Sequence, residues 1–355
     1  MDSDPAARDL KLREYAPRAR LRAPEHLVHR ARFPVVDVHN HLGRWLEPRE
    51  GWAVPDVDAL LGLMEVCGVR AIVNLDGQWG DELEANLDRY DRAHPGRFVT
   101  FCHPDWSQTS QPGFGDRLAE GLERAGAAGA GGVKVWKQLG LSLADDRGDL
   151  LMPDDQRLGP LWEAAGARGI PVLIHVADPV AFFDPMDRFN ERLEELLENP
   201  DWWFGDRARF PPLERIIDGL EAVVARHPRT TFIGAHVGCY AEDLAWVSRM
   251  LTTYPNFHVD IAARIAELGR QPRAARRLML EHPDRVLFGM DLTPDAGEYA
   301  IHFRFLETED ESFPYSTEEI PPQGRWAISG LGLPDEVLRR IYAENALRLV
   351  PGLEP

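Results

Sequence analysis

The sequence has little that would direct it to a polyanion or a membrane. Basic residues number 40 against 58 acidic residues, which gives a formal charge of -18. Nucleic acids and anionic lipid surfaces attract basic patches, so we expect neither as a partner. No uninterrupted apolar run approaches the roughly 20 residues that a membrane helix needs, and the polar N-terminus lacks the apolar core of a signal peptide.

Cysteine is equally scarce. Cys67, Cys102 and Cys239 are odd in number and widely spaced, so they form neither a CxxC zinc site nor a disulfide framework. We interpret them as reduced core thiols, and we expect a cytoplasmic protein on that ground.

Eight short apolar runs recur along the 355 residues, with amphipathic stretches between them. Near-continuous apolar strands are typical of a parallel sheet that is covered on both faces. Eight strand–helix units in succession predict a (β/α)8 TIM barrel. A doubly wound open sheet is the structural alternative, but no GxGxxG follows the first run. The predicted strands cover residues 33–39, 69–75, 97–103, 132–136, 170–176, 230–236, 256–261 and 285–291.

The predicted domain organisation is simple. We treat residues 1–355 as a single domain, because no linker and no repeat beyond the strand–helix alternation interrupts the chain. Residues 1–32 form an N-terminal extension. Two stretches depart from the strand–helix alternation, and they are residues 178–212 after the fifth strand and residues 307–330 after the eighth. Barrel active sites form at the C-terminal ends of strands, so we expect both insertions near the active-site mouth.

The strongest chemical signal lies at the predicted strand ends. His39 and His41 are two residues apart in a strand, so both imidazoles can reach one ion. His175, His236 and Asp291 end the fifth, sixth and eighth runs. Because strand ends converge on one pocket in a barrel, the sequence predicts a metal site on these five residues. Imidazole and carboxylate ligands without a thiolate suit zinc, iron, manganese or cobalt.

The five candidate ligands allow two arrangements. In the first, His39, His41 and Asp291 hold one ion while His175 and His236 hold a second. In the second, a single ion takes His39, His41, His175 and Asp291, which leaves His236 as a general acid or base. The number of ions therefore decides the role of His236.

Two lysines belong to the fourth strand and its end. Lys134 lies in mid-strand between apolar neighbours, which indicates an inward functional role. A carbamylated lysine there would bridge two ions, whereas an ammonium would bind a substrate carboxylate. Lys137 lies just beyond the strand, where a solvated lysine is ordinary.

Further polar and aromatic residues follow the predicted strands. Some of the polar residues must orient the ligand imidazoles, and the candidates include Asp76, His103, Asp178, Asp260 and Arg264. Four tryptophans also follow or end the predicted strands, and they are Trp45, Trp79, Trp106 and Trp136. They either pack against loops or line a broad apolar pocket for a bulky substrate.

Four motifs carry a family resemblance, and they are His39-x-His41, His175-x-x-Asp178-Pro179, Gly234-Ala235-His236 and Gly289-Met290-Asp291. Together they resemble the amidohydrolase-related family of TIM-barrel metal-dependent hydrolases and decarboxylases, over residues from about 33 to 350. The resemblance implies that the matched histidines and aspartate bind metal. It also implies that His236 is either a ligand or the catalytic acid or base.

A finer resemblance concerns the insertions. The stretches 303–315 and 321–326 resemble a branch formed by the nonheme di-iron monooxygenases of platensimycin and platencin biosynthesis. That branch implies two iron ions, dioxygen as a co-substrate and hydroxylation of a bulky apolar diterpenoid that is linked to CoA. His236, Lys134 and Asp291 would then be the catalytic residues.

The wider family implies the alternative. A hydrolase or decarboxylase would use water activated by one zinc or another divalent ion on a small carboxylate, ester, lactone or amide. Both alternatives imply a small-molecule substrate, and both leave homo-oligomerisation open.

The metal prediction has a direct test. Replacing His39 and His41 together with Ala removes two ligands, so we expect the variant to lose bound metal and turnover together. Elemental analysis of protein purified without added metal measures the first, and His94→Ala serves as the control because His94 belongs to a helix-end His-Pro pair. A double variant that retains its full metal content would contradict the assignment.

Overall fold

The fold is a barrel of parallel strands. The computed structural model describes residues 9–11, 14–15, 17–44 and 51–354. Within them, eight strands follow one another around a single sheet in chain order, and every neighbouring pair is parallel. The strands are β1 Val35–Asn40, β2 Val69–Asn74, β3 Phe98–Cys102, β4 Gly132–Val135, β5 Val172–Ile174, β6 Phe232–Gly234, β7 Phe257–Asp260 and β8 Val286–Leu287.

Backbone hydrogen bonds bring the last strand back to the first. The amide of Val38 donates to the carbonyl of Phe288 at 3.0 Å, and the amide of Asp291 donates to the carbonyl of His39 at 2.8 Å. The sheet is thereby nearly closed, which confirms the predicted (β/α)8 TIM barrel.

Helices alternate with the strands around the outside. The first of them shows ordinary capping: the side chain of Asp56 accepts from the amide of Ala59, and Gly68 ends the helix at a φ of 81°. The helices are α1 Val57–Cys67, α2 Gly80–Asn86, α3 Phe114–Ala128, α4 Gly159–Arg168, α5 Leu193–Glu198, α6 Leu213–Arg226, α7 Leu244–Thr253, α8 Ile265–Arg270, α9 Pro272–Glu281, α10 Ala296–Glu307, α11 Asp335–Arg339 and α12 Asn345–Leu349.

Shorter helical turns complete the element order, and two of them are Gln138–Leu141 and Ala235–Gly238. Two π-helical stretches, Leu87–Arg92 and Arg340–Glu344, extend α2 and join α11 to α12. The single 3-10 turns are Trp106–Ser110, Gln156–Leu158, Val180–Phe182 and Pro200–Trp202. Within the described residues, none of the helices is both long and apolar enough to cross a membrane.

The strands are shorter than the apolar runs predicted. His175 follows β5 directly, His236 lies two residues beyond β6, and Asp291 lies four residues beyond β8. The backbone of His236 and Asp291 is left-handed, with φ of 57° at each, and such a conformation cannot continue a strand. His175, His236 and Asp291 therefore lie on the turns that leave the strands, whereas His39 lies within β1.

The barrel interior is filled by apolar side chains from most strands. Val38, Val73, Phe101 and Ile233 belong to one buried cluster, and residues from opposite sides of the sheet meet in this way only inside it. The ring of Phe101 lies where a side chain at Gly132 would be, since a Cβ there would come within 2.4 Å of it. A second, larger cluster lies between sheet and helices. Burial on both faces explains the near-continuous apolar runs.

The two predicted insertions contact each other. Residues 178–212 contain α5, whereas residues 307–330 follow α10 rather than β8 itself. Arg325 of the second segment forms a two-point ion pair with Glu194 of the first, at 2.6 and 2.9 Å. The guanidinium of Arg192 lies 5.6 Å from the ring of Trp326.

A buried ion pair ties the first insertion to the barrel. Arg192 is 1 % exposed and Glu267 of α8 is 2 % exposed, and the two side chains are hydrogen-bonded. Arg192 also donates to Glu195 at 2.7 Å. A guanidinium buried to this extent is stable only with its carboxylate partners, so this contact fixes the insertion against α8.

We expect Arg192→Met to destabilise the protein strongly, because Glu267 would remain buried without a cation. The expected loss is about 3–5 kcal/mol, which urea unfolding would measure. Arg249→Met, which removes a surface pair with Glu221, is the control and should cost below about 1 kcal/mol. The double variant with Glu267→Gln should recover part of the loss. If Arg192→Met and Arg249→Met lowered the free energy of unfolding equally, the buried ion pair would stabilise the protein no more than the surface pair does.

Candidate metal centre

Three side chains bring their ligand atoms together at the C-terminal mouth of the barrel. Oδ1 of Asp291 lies 3.2 Å from Nε2 of His41 and 3.6 Å from Nε2 of His39. All three ligand atoms lie within 4.8 Å of one another, close enough to bind one metal ion. His236 approaches the other oxygen, since its Nε2 lies 3.5 Å from Oδ2 of Asp291.

The ring of His175 packs against that of His236. The two rings are edge to face with their centroids 4.5 Å apart, and Nε2 of His175 lies 3.4 Å from Oδ1 of Asp178. The structure thus brings all five predicted ligands into one cluster, with three of them close around one point. His175 is next to Asp178 and His236 rather than within that group of three.

Asp260, the last residue of β7, orients the imidazole of His39 and holds the backbone of His236. Its Oδ2 accepts from Nδ1 of His39 at 2.8 Å, and its Oδ1 accepts from the backbone amides of His236 and Ala262 at 2.8 and 3.1 Å. Because Nδ1 of His39 carries the shared proton, its Nε2 presents a lone pair to the cluster. Asp260 is therefore an orienting group, although its oxygen also lies within ligand distance of His39 and His236.

His41 is held in a similar way. Its Nδ1 lies 2.6 Å from Oδ1 of Asp76, whose other oxygen accepts from the amide of Gly43 at 3.0 Å. Burial favours the neutral imidazole, but the carboxylates of Asp76 and Asp291 raise the pKa of His41 to about 9. The position between two carboxylates thus favours positive charge, as a metal site requires.

Asp37, which the sequence did not single out as a functional residue, holds the two strand ends in place. Its Oδ1 accepts from the amides of His39 and Met290, and its Oδ2 accepts from the hydroxyl of Tyr299 at 2.9 Å and from Asn40 at 3.0 Å. Burial raises the pKa of Asp37 to about 6. The only sequence signal for a role of Asp37 was its position two residues before His39.

Left-handed backbone at the turns aims several of these side chains. His236, Val237 and Cys239 have φ between 57° and 60°, Ala263 has 52° and Asp291 has 57°. This region costs a residue other than glycine roughly 1–2 kcal/mol, and it is least favourable for a β-branched residue such as Val237. Strained backbone of this kind concentrates at functional sites, where surrounding contacts hold it.

The charges of the cluster are mutually dependent. Burial opposes ionisation of Asp291, but the imidazoles of His39, His41 and His236 hold its pKa well below the ordinary value. Burial, together with the nearby His175 and the guanidinium of Arg264, holds the pKa of His236 well below 6.5. His236 is therefore neutral and Asp291 ionised near neutral pH.

Lys134 lies fully buried at the centre of this arrangement. Its Nζ is 3.1 Å from Nε2 of His39 and 4.9 Å from the ring centre of Trp136. Burial lowers the pKa of Lys134 to about 8. Lys137 lies further out and pairs with Asp178 at 2.5 Å, so it differs from the solvated lysine that its position suggested.

The donor set fits a divalent metal ion. In the described part of the chain, Nε2 of His41 and Nε2 of His175 are buried without a hydrogen-bond partner, which is costly for an imidazole nitrogen. Nε2 of His41 lies 3.2 Å from Oδ1 of Asp291 and Nε2 of His175 lies 3.4 Å from Oδ1 of Asp178, in neither case with hydrogen-bond geometry. Imidazole nitrogens with one carboxylate and no thiolate are ligands for zinc, manganese or iron. The residues present therefore suit such an ion.

The tryptophans divide between the site and the surface. The ring of Trp136 lies 5.0 Å from that of His41 at an angle of 35°, so it forms one wall of the site. Trp79 is 42 % exposed and Trp106 packs against the outer core. Trp45 lies outside the described residues.

An eight-stranded (β/α)8 barrel with histidines and an aspartate at the carboxyl ends of its strands defines a metal-dependent TIM-barrel enzyme. The family model for amidohydrolases matches residues 36–352. The chain belongs to this amidohydrolase family, as the motifs implied. A comparison with curated protein sequences gave no match.

Several solved structures share the fold at low sequence identity. A 2,6-dihydroxybenzoate decarboxylase from Rhizobium is 17% identical with a TM-score of 0.56, over 89% of this chain and 98% of its own. A dihydroxybenzoic acid decarboxylase from Polaromonas sp. JS666, with bound manganese and 2-nitroresorcinol, is 15% identical with a TM-score of 0.56, over 89% and 96%. A putative amidohydrolase from Staphylococcus aureus is 14% identical with a TM-score of 0.57, over 90% and 99%.

We expect Asp260→Asn to weaken metal binding without unfolding the barrel. The amide is nearly the same size but cannot hold the His39 imidazole in the same way, so metal affinity should fall about 10- to 100-fold. Competition with a chromophoric chelator measures that affinity. Asp243→Asn, which changes only the cap of α7, is the matched control. Unchanged affinity in Asp260→Asn would contradict the orienting role.

Proposed function

We propose that this protein is a metal-dependent enzyme that removes carbon dioxide from a carboxylic acid without an oxidant. The observation that carries the proposal is the pairing of a neutral His236 with an ionised Asp291 beside the candidate metal ligands. Nδ1 of His236 lies 2.8 Å from the carbonyl oxygen of Ala262 and can only donate to it, so Nε2 is left to accept a proton. Such a pair is suited to moving protons near neutral pH.

The ion and the side chains would divide the chemistry. A divalent ion held by His39, His41 and Asp291 supplies Lewis acidity toward a carboxylate or carbonyl oxygen when it is bound. In decarboxylation the carbon–carbon bond to the carboxylate breaks, and its electron pair stays on the remaining carbon. That carbon needs one proton, which Nε2 of His236 would accept from solvent and pass on, while the ionised Asp291, 3.5 Å away, would stabilise the protonated imidazole.

The indole ring at one wall of the site suits a flat substrate. Trp136 presents an indole ring beside His41, and such a surface packs well against an aromatic ring. Two of the similar structures are decarboxylases of dihydroxybenzoates, and the one from Polaromonas holds manganese with 2-nitroresorcinol. These likenesses support an arene carboxylate as the substrate class. They favour the decarboxylase among the reactions that the family resemblance implied.

One observation favours a second candidate, the di-iron monooxygenase. His175 and Asp178 lie 3.4 Å apart next to His236, so they offer ligands for a second ion beside the first. Two iron ions there, with dioxygen as co-substrate, would correspond to hydroxylation of a bulky diterpenoid linked to CoA. Asp178 is already paired with Lys137, however, and a metal ion would compete with that ammonium. The single-ion proposal requires no such exchange.

The test offers 2,6-dihydroxybenzoate and related hydroxybenzoates to protein loaded with manganese, zinc or iron, with and without dioxygen. We expect carbon dioxide release that a chelator abolishes, that metal restores and that dioxygen does not alter. His236→Asn should retain metal while turnover falls about 10²- to 10⁴-fold, because a proton-transfer group is lost. His282→Asn, at the end of α9, is the control. Turnover that requires iron and incorporates oxygen from labelled dioxygen would establish the second candidate instead.

A further inference from the structure

A cavity lies at the opposite end of the barrel from the metal centre. Its volume is about 490 Å³, and residues that precede or begin β1, β2 and β3 line it, among them Pro34, Val69 and Arg97. Val35 begins β1 and His39 lies four residues further along it, so about 13 Å of strand separates the cavity from the candidate ligands. The apolar cluster inside the barrel lies between them. A ligand in this cavity is therefore not the molecule that reacts at the metal centre.

Four guanidinium groups line this cavity, in a chain whose formal charge is -18. They belong to Arg30, Arg32, Arg70 and Arg97, and the carboxylates in the same lining are those of Glu65 and Glu354. Because these arginines come from three separate stretches of the chain, they form no basic cluster in the sequence. The tertiary structure thus creates a local excess of positive charge, which attracts anions.

Two of the four guanidiniums bind no carboxylate among the described residues. Arg30 donates to the backbone carbonyls of Glu65 and Val66 at the end of α1. Arg70 donates to the backbone carbonyl of Glu354 at 2.5 Å. Because carbonyl oxygens carry no net charge, these contacts orient the two side chains and leave their charges available to an anion.

Arg97 contributes a buried donor that is unused. Its Nε donates to the carbonyl of Arg70 at 2.8 Å, and its Nη1 pairs with Glu65 at 2.8 Å. Its Nη2 is buried and has no hydrogen-bond partner within the described residues. A buried donor without a partner is costly, and an oxygen of a bound anion would satisfy it.

An irregularity of β2 places Arg70 in the lining. Val35 pairs with Val69, and Val36 pairs with Ala71. Arg70 is therefore an extra residue in the ladder between β1 and β2. Such a bulge re-aims a side chain at the rim of a barrel, and here it brings a guanidinium to the cavity.

We propose that this cavity binds a phosphate group, as free phosphate or as part of a small phosphorylated molecule. A carboxylate is satisfied by one guanidinium, as Glu65 is by Arg97. A phosphate carries close to two negative charges near neutral pH, and its oxygens point in several directions, so guanidiniums from three chain segments can share it. Phe33 and Met64 give the same lining an apolar part that suits the rest of a phosphorylated molecule. The proposal does not depend on the reaction at the metal centre.

Calorimetric titration of the full chain tests the site without any turnover. The probes are inorganic phosphate, ribose 5-phosphate, its uncharged counterpart ribose, and acetate. We expect both phosphates to bind measurably more tightly than ribose and acetate. Arg70→Met should weaken phosphate binding about 10- to 100-fold, because a charge-assisted hydrogen bond is lost. Arg249→Met is the matched control, since it removes the same charge from a surface pair with Glu221 and should leave the affinity unchanged.

The titrations are repeated after chelation, because phosphate also binds to metal ions. Phosphate binding that persists after chelation and depends on Arg70 supports the site. Tighter binding of ribose 5-phosphate than of inorganic phosphate would identify a phosphorylated molecule as the ligand, and equal or weaker binding would identify free phosphate.

Three results would overturn the site and leave the proposed function intact. They are the absence of saturable phosphate binding, binding that chelation abolishes, and acetate binding as tight as phosphate binding. Thermal unfolding checks the fold of each variant, and bound phosphate should raise the Tm of the unchanged protein more than that of Arg70→Met. Arg30→Met changes an exposed side chain and gives the same test if Arg70→Met does not fold. Unchanged affinity in both variants would also overturn the site.

Discussion

The arrangement of the site depends on one buried carboxylate, that of Asp260. It binds the Nδ1 side of His39 and the backbone amides of His236 and Ala262 at once. It thus couples the imidazole that reaches Asp291 to the turn that carries His236. The left-handed backbone of His236 is strained, and the bond from its amide to Asp260 is one of the contacts that hold it. Because Asp260 holds both His39 and His236, a shift of one of these histidines would disturb the other.

The second constraint is that each charged group buried inside the barrel needs a compensating partner. Lys134, Asp37 and Asp260 are completely buried among apolar side chains, where a single uncompensated charge would be very costly. Lys134 touches His39, and Asp37 is covered by donors from the backbone and from Tyr299. The net effect is a cluster in which a cation beside Asp291 is favourable. A divalent ion satisfies the same requirement.

The fold and the chemistry have separate origins in this chain. Similar structures keep the barrel at 14% to 17% identity, because many apolar sequences fill a (β/α)8 core. In this chain Arg325 and Glu194 join the two segments 178–212 and 307–330, and Arg192 and Glu267 fix the first of them against α8. The second segment brings Gln323 to the turn after β7, where Arg264 lies.

The sequence by itself determined the barrel and the five candidate ligands. Eight apolar runs predict eight buried strands, and polar residues at their carboxyl ends must meet at one mouth. The positions within that mouth depended on the tertiary structure. The pairing of β1 with β2 shifts between Asp37 and Asn40, and the turns at His236 and Asp291 are left-handed, so simple alternation along a strand does not give the side-chain directions.

Long-range contacts decided the rest. Asp260 binds His39 across 221 residues of sequence, and Gln323 shares a carbonyl with Arg264 across about 60 residues. Sequence reasoning named Asp260 and Arg264 only among several polar residues near strand ends, and it gave Asp37 no role. A residue type and its place in a strand predict that a side chain is polar and near the mouth. Only the packing of all the strands and insertions decides which partner such a side chain binds, or whether it has none.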